Sequence, residues 1–336
     1  MSNRQIITYT SFIIILGIIY YISWVIWILE FILFIIFYSI LFYGIYILWK
    51  KVRKKEILCF FDFFLRFLYK LVISIVFIVA TLWSFAYYQN EISSAPMPEV
   101  TITNWKKTII FQAMSHIWTK NFYDTIKNNI RENKEKWFVY FFEWVKPWSE
   151  ENLKKFNKAI WIKFDEDLYE NLAKLYWVVH QDNQVFLMLV NNLDFNVDLN
   201  LDEIMELYEN DDNFYWNTNN NNLEIIDANK QVLEALNNLN EKELEILRYI
   251  NKSIMNFIIK SEKIQNVLKA NFTNQKLFNI ILNKRNEVVS DEIIKSKYDK
   301  VYVTYWLLHF EWIFELLKIN DKNWEILKTR NYFPIK

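Results

Sequence analysis

The sequence predicts a mixed α/β domain carried on N-terminal transmembrane helices. Residues 6–49 form an almost unbroken apolar run. Short β-branched and aromatic stretches, "VTIT" and "TIIFQAM", open the polar part of the chain near residue 100, and "KVYVTY" follows at 300–305. The segments between them are long and read as helical.

A bilayer core takes about 20 helical residues, so residues 6–49 suffice for two passes, with a reversal expected near Glu30. The run exceeds the roughly 7–15 apolar residues of a cleaved signal peptide. "KKVRKKE" at 50–56 is a basic loop, and residues 57–70, with Asp62, Arg66 and Lys70 among aromatics, suit an interfacial helix. "LVISIVFIVATLWSFAYY" at 71–88 reads as a third span ending in an aromatic belt. The positive-inside rule keeps the basic loop cytoplasmic. Three spans then place everything beyond Tyr88 outside. The expected organisation is a multi-pass anchor of the cytoplasmic membrane at 1–88, with the lipid bilayer as partner, a linker at 89–98, and an extracytoplasmic domain at 99–336.

Within that domain strands are expected at 100–103, 108–114, 138–142 and 300–305. Helices are expected near 119–133, 149–159, 165–178, 201–209, 228–270, 275–296 and 310–318, with an Asn-rich loop at 210–222. Strands followed by helices at both ends, around a helical middle, give an α/β sandwich with a helical insertion.

Charge and cysteine narrow the function. The chain has 39 basic and 39 acidic residues, and eight of the basic ones lie in 1–88, so the domain is mildly acidic and nothing argues for nucleic acid. Cys59 is the single cysteine, which rules out an intramolecular disulfide. No GxSxG nucleophile elbow is present.

Two counts are out of line. An average share of about 7% would give roughly twenty glycines, yet there are 2, alongside 15 tryptophans. Several tryptophans stand where glycine is expected. Asn104-Trp105 occupies a hairpin turn that asks for Asn-Gly. Trp137 and Trp161 end helices where glycine would cap. Trp118 and the Asn323-Trp324 pair have similar settings. Some bacteria read the UGA codon as glycine, so UGA recoding is expected to underlie many of these tryptophans. The alternative is a chain that is rich in tryptophan by nature.

Only three histidines exist: His116, His180 and His309. His116 follows the strand "TIIFQAM" and His309 follows "KVYVTY", both at strand-to-helix junctions, the edge where open α/β sheets bind ligands. Glu143 ends a third strand, "FVYFFE". Two imidazoles and a carboxylate with open positions make a candidate site for Zn, Mn, Co or Fe. His180 lies at a helix end in the middle segment and ranks lower. The acidic runs at 164–170 and 201–209 read as solvated helix faces.

"AMSH" and "WLLH" resemble the paired GxxH motifs of the TraB/GumN family, which includes the TIKI-like metalloproteases. The family glutamate corresponds to Glu143 in "FFEWVKPW", and its RN-type pair to Arg285-Asn286 in "ILNKRNEVV". Ala113 and Trp306 stand where the family has glycine. Glycine at 306 and 312 would turn the last motif into a close match. The resemblance implies an EreA/ChaN-like fold and a membrane-anchored, metal-dependent peptidase or hydrolase acting on a peptide or protein substrate. It implies His116, His309 and Glu143 as ligands of a divalent ion (Mn, Co or Zn), with Glu143 as general base if it is not a ligand. Arg285, beside Asn286, would orient a substrate carboxylate or steady an oxyanion, and Glu311 would orient an imidazole from outside. The other class implied is a non-catalytic membrane protein that binds or sequesters peptide signals.

Overall fold

The computed structural model describes residues 3–22, 25–143, 148–163, 167–210, 225–271 and 274–334. Most of the expected Asn-rich loop, and Trp144, lie outside the described residues. The chain forms two compact units: Met1–Tyr88 with Leu239–Ile250, and Gln89–Asn238 with Asn251–Lys336.

The first unit contains helices α1 (Asn3–Ile22), α2 (Val25–Val52) and α3 (Phe60–Tyr87). Two stretches, Ile28–Val52 and Phe60–Ile92, are long and apolar enough to cross a membrane, and Thr8–Ile22 is a shorter apolar helix. Two expectations need correction. Glu30 lies inside α2 instead of at a reversal, because one carboxylate leaves the backbone ladder of a helix intact. The interfacial segment and the third span are one continuous helix. Asp62, Arg66 and Lys70 recur every four residues, so they form a polar stripe along α3 without ending it. The last carbonyls of α1 are capped from far along the chain. Asn240 Nδ2 donates to Ile22 O (2.8 Å) and Lys242 Nζ to Tyr21 O (3.0 Å).

The second unit is built on a six-stranded mixed sheet: β1 (Met97–Thr103), β2 (Thr108–Met114), β3 (Val139–Phe142), β4 (Phe195–Asn196), β5 (Lys300–Trp306) and β6 (Glu325–Tyr332). Their order across the sheet is β6-β1-β2-β5-β3-β4. β1 pairs antiparallel with β6 and β2. β2, β5, β3 and β4 run parallel. Residues 301–305 of β5 are buried without alternation, as a parallel strand covered on both faces requires.

Helices α4 (Lys120–Glu135), α5 (Arg285–Lys295) and α6 (Phe310–Asn320) contribute Ile126, Ile130, Val289, Ile293, Ile313 and Leu317 to the core around the sheet. The expected linker is structured. Asn256, fully buried, accepts from Ala95 N (2.7 Å) and donates to Asn90 Oδ1 (3.1 Å), and β1 already begins at Met97. The long helix expected at 228–270 is three: Ala228–Asn238, Glu241–Lys260 and Glu262–Ala270. Asn240 and Glu243 form a reciprocal cap at one break, and the Ser261 hydroxyl accepts from Ile264 N at the other.

Candidate active site

Because β2, β5, β3 and β4 are parallel, their C-terminal ends share one edge of the sheet. Each delivers one polar side chain there. His116 lies two residues past β2, Glu143 directly past β3, and Asp198 two past β4. His309 closes a single 3-10 turn, Leu307–His309, that joins β5 to α6. Arg285 and Asn286 arrive from the opposite direction, at the start of α5. They follow a π-helical turn, Ile280–Lys284, and both are buried. Such turns shift the register of a helix face and recur at functional sites.

Arg285 ties the ends of β3 and β4 together. Its Nε donates to Asp198 Oδ1 (2.6 Å) and its Nη2 to Asp198 Oδ2 (2.9 Å), and Nη2 also donates to Glu143 Oε1. Tyr305 donates its hydroxyl to Asp198 Oδ1 (2.9 Å). The other oxygen of Glu143 accepts the backbone N–H of Trp306 (2.7 Å), while Glu143 N donates to Thr304 O (3.2 Å).

His309 is fully buried, its ring edge-on to Tyr305 at 4.8 Å. Its Nδ1 lies 2.6 Å from Asn286 Oδ1. An amide oxygen only accepts, so Nδ1 carries the proton, and in the neutral form of the ring the lone pair lies on Nε2. The His116 ring lies 4.7 Å from that of Tyr169, on helix Leu168–Tyr176.

Burial dominates the electrostatics. It lowers the His116 pKa below 6.5, against the pull of Glu143 and with the help of Arg285. Burial pushes Glu143 up, yet Arg285, His309 and His116 together outweigh it and hold the carboxyl below 4.5. Burial and the Glu143 charge raise Asp198 above 3.8, although Arg285 opposes them. Burial also raises the Tyr169 phenol, to about 12, with the Glu143 charge acting the same way.

The structure thus brings His116, His309, Glu143, Arg285 and Asn286 to one edge. Among the described residues, no group of three or more His, Cys, Asp and Glu side chains stands close enough to share a metal ion. Each Glu143 oxygen already accepts one hydrogen bond, from Arg285 and from Trp306 N, so Glu143 would join His116 and His309 on an ion only with its remaining lone pairs. Glu311 is exposed on the first turn of α6, and Asn286 fills the imidazole-orienting role expected of it. Arg285 directs its Nε and Nη2 at carboxylates of this chain. His180 is exposed, its backbone paired with Ile117. Trp306 has an ordinary extended backbone, φ −57° and ψ 140°, and its ring packs 5.7 Å from His309 without straining the passage.

Three residues escaped the sequence reading. Asp198 follows a strand of two residues, too short to leave a pattern. Tyr305 reads as core, and Tyr169 as part of an acidic helix. No family model matches the chain, and no curated protein or solved structure matches it either.

Proposed function

We propose that the second unit is an extracytoplasmic hydrolase acting on peptide or protein segments near the membrane surface, with the N-terminal helices as its multi-pass anchor. The observation that carries this reading is the pairing, at one sheet edge, of His309 with Asn286 and of Glu143 with Arg285. His309 Nε2, the basic nitrogen left by the Asn286 contact, suits proton abstraction from an attacking water. The Glu143 carboxylate, held ionised by Arg285, would stabilise the imidazolium that forms. His116, whose charged form burial disfavours, offers a second imidazole to polarise the scissile carbonyl. The EreA/ChaN-like TraB fold belongs to the same proposal. Its support is the order along the chain of His116, Glu143, Arg285-Asn286 and His309, with the two histidines and the glutamate just past the ends of parallel strands and the Arg-Asn pair on a helix. A divalent ion (Mn, Co or Zn) would supply Lewis-acid chemistry. The proton movements above use only residues of this chain.

The second reading, a membrane protein that sequesters a peptide signal without cleaving it, is favoured by the complete burial of His309. One experiment separates them. The full chain in lipid nanodiscs is incubated with a fluorogenic peptide library, with chelator or with added Mn, Co or Zn. Cleavage that falls at least about a hundredfold in Glu143→Gln supports the hydrolase. Peptide capture without cleavage under every condition supports the binder. Cleavage only with added ion makes the reaction metal-dependent.

A further inference from the structure

Five described residues other than glycine have positive φ: Lys54, and four tryptophans. The four are Trp105 (69°), Trp137 (68°), Trp161 (62°) and Trp177 (56°). Tryptophan makes up 15 of 336 residues, yet it fills four of the five left-handed positions. A bulky side chain there is a steric outlier, whereas glycine adopts this conformation freely.

Each position is one that glycine ordinarily fills. Trp105 sits in the β1–β2 hairpin turn, where Asn104 Oδ1 accepts from the backbone N–H of Lys106 and Lys107. Trp137 follows α4 in a Schellman motif: Phe138 N donates to Asn133 O (3.0 Å) and Trp137 N to Lys134 O (3.0 Å). Trp177 repeats the motif, with Val178 N to Ala173 O (2.9 Å) and Trp177 N to Lys174 O (3.3 Å). Trp161 is the left-handed residue after helix Glu150–Ile160.

No burial offsets the strain at three of them, since Trp105, Trp137 and Trp177 are 78%, 86% and 62% exposed. Conversely, the two glycines, Gly17 and Gly44, lie inside α1 and α2, where an added Cβ meets nothing within 4 Å. The residue that backbone geometry demands is absent where it is demanded and present where it is not.

We infer that the protein as translated in its host carries glycine at 105, 137, 161 and 177, inserted by a tRNA that reads UGA and is charged with glycine. The left-handed backbone singles out these four. Trp118 and Trp324, expected on sequence grounds to share the substitution, are buried in the core without positive φ, and Trp306 and Trp312 have no positive φ either.

The test is peptide mass spectrometry of the protein isolated from its native host. Peptides lighter by the difference between tryptophan and glycine at all four positions support the inference, and tryptophan at any of the four overturns it there. Recombinant variants test the backbone argument separately. Trp105→Gly should raise Tm by about 2–4 °C, while Trp105→Ala, which removes the same ring but keeps a Cβ at positive φ, should gain less. An equal gain from both would overturn the backbone argument.

Discussion

Asn286 Oδ1 lies 2.6 Å from Nδ1 of His309, and this one contact fixes which ring nitrogen is basic. Asn286→Leu removes the acceptor at nearly constant volume. Activity should fall about 10–100-fold, the range for lost partners of functional histidines, with a fold that circular dichroism reports as intact. Glu311→Gln, at an exposed position, should leave the rate unchanged.

Arg285 faces two carboxylates, the buried Asp198 and the largely buried Glu143. Arg285→Leu leaves both without their cation and should destabilise the domain by about 3–5 kcal/mol, read from chemical denaturation. Lys at 285 should rescue only part, because an ammonium cannot span two carboxylates as the planar fork does.

Acid should weaken the fold through His116. Its folded pKa lies below 6.5, so the unfolded chain takes up the proton first as pH falls. The stability this neutral ring allows is present above pH 6.5 and is lost as pH falls below it. Glu143, depressed below 4.5, adds a loss at lower pH, while the raised Asp198 acts in the opposite direction. Thermal melts should therefore show Tm declining from about pH 6.5 downward, and His116→Phe should flatten the first part of that decline.

Cys59 is exposed and is the single cysteine of the chain, just before α3. With the proposed topology it faces the cytoplasm. A membrane-impermeant maleimide should label it only after the membrane is opened. Labelling of intact cells would reverse the proposed orientation.

The sheet edge was largely legible in the sequence because its strands are strongly patterned. "TIIFQAM" and "KVYVTY" each end shortly before a histidine, and "FVYFF" ends at Glu143. The site was less legible where the pattern is short or the partner remote. β4 spans two residues, so Asp198 carried no strand signal. Glu311 was two residues from His309, yet the ring is bonded by Asn286, 23 residues away, because a helix packed against the sheet brings its side chain nearer than a sequence neighbour pointing outward. In the N-terminal helices, a lone Glu30 reads as a break on paper, but a helix ladder passes it.

The coupling between Glu143 and His309 tests the account most directly. Hydrolysis by the full chain in nanodiscs is compared for Glu143→Gln, His309→Ala and the double variant. If the two residues serve one proton transfer, the double variant should be no slower than the slower single one. Losses that multiply, or activity indifferent to both changes, would contradict a single hydrolytic site at this edge.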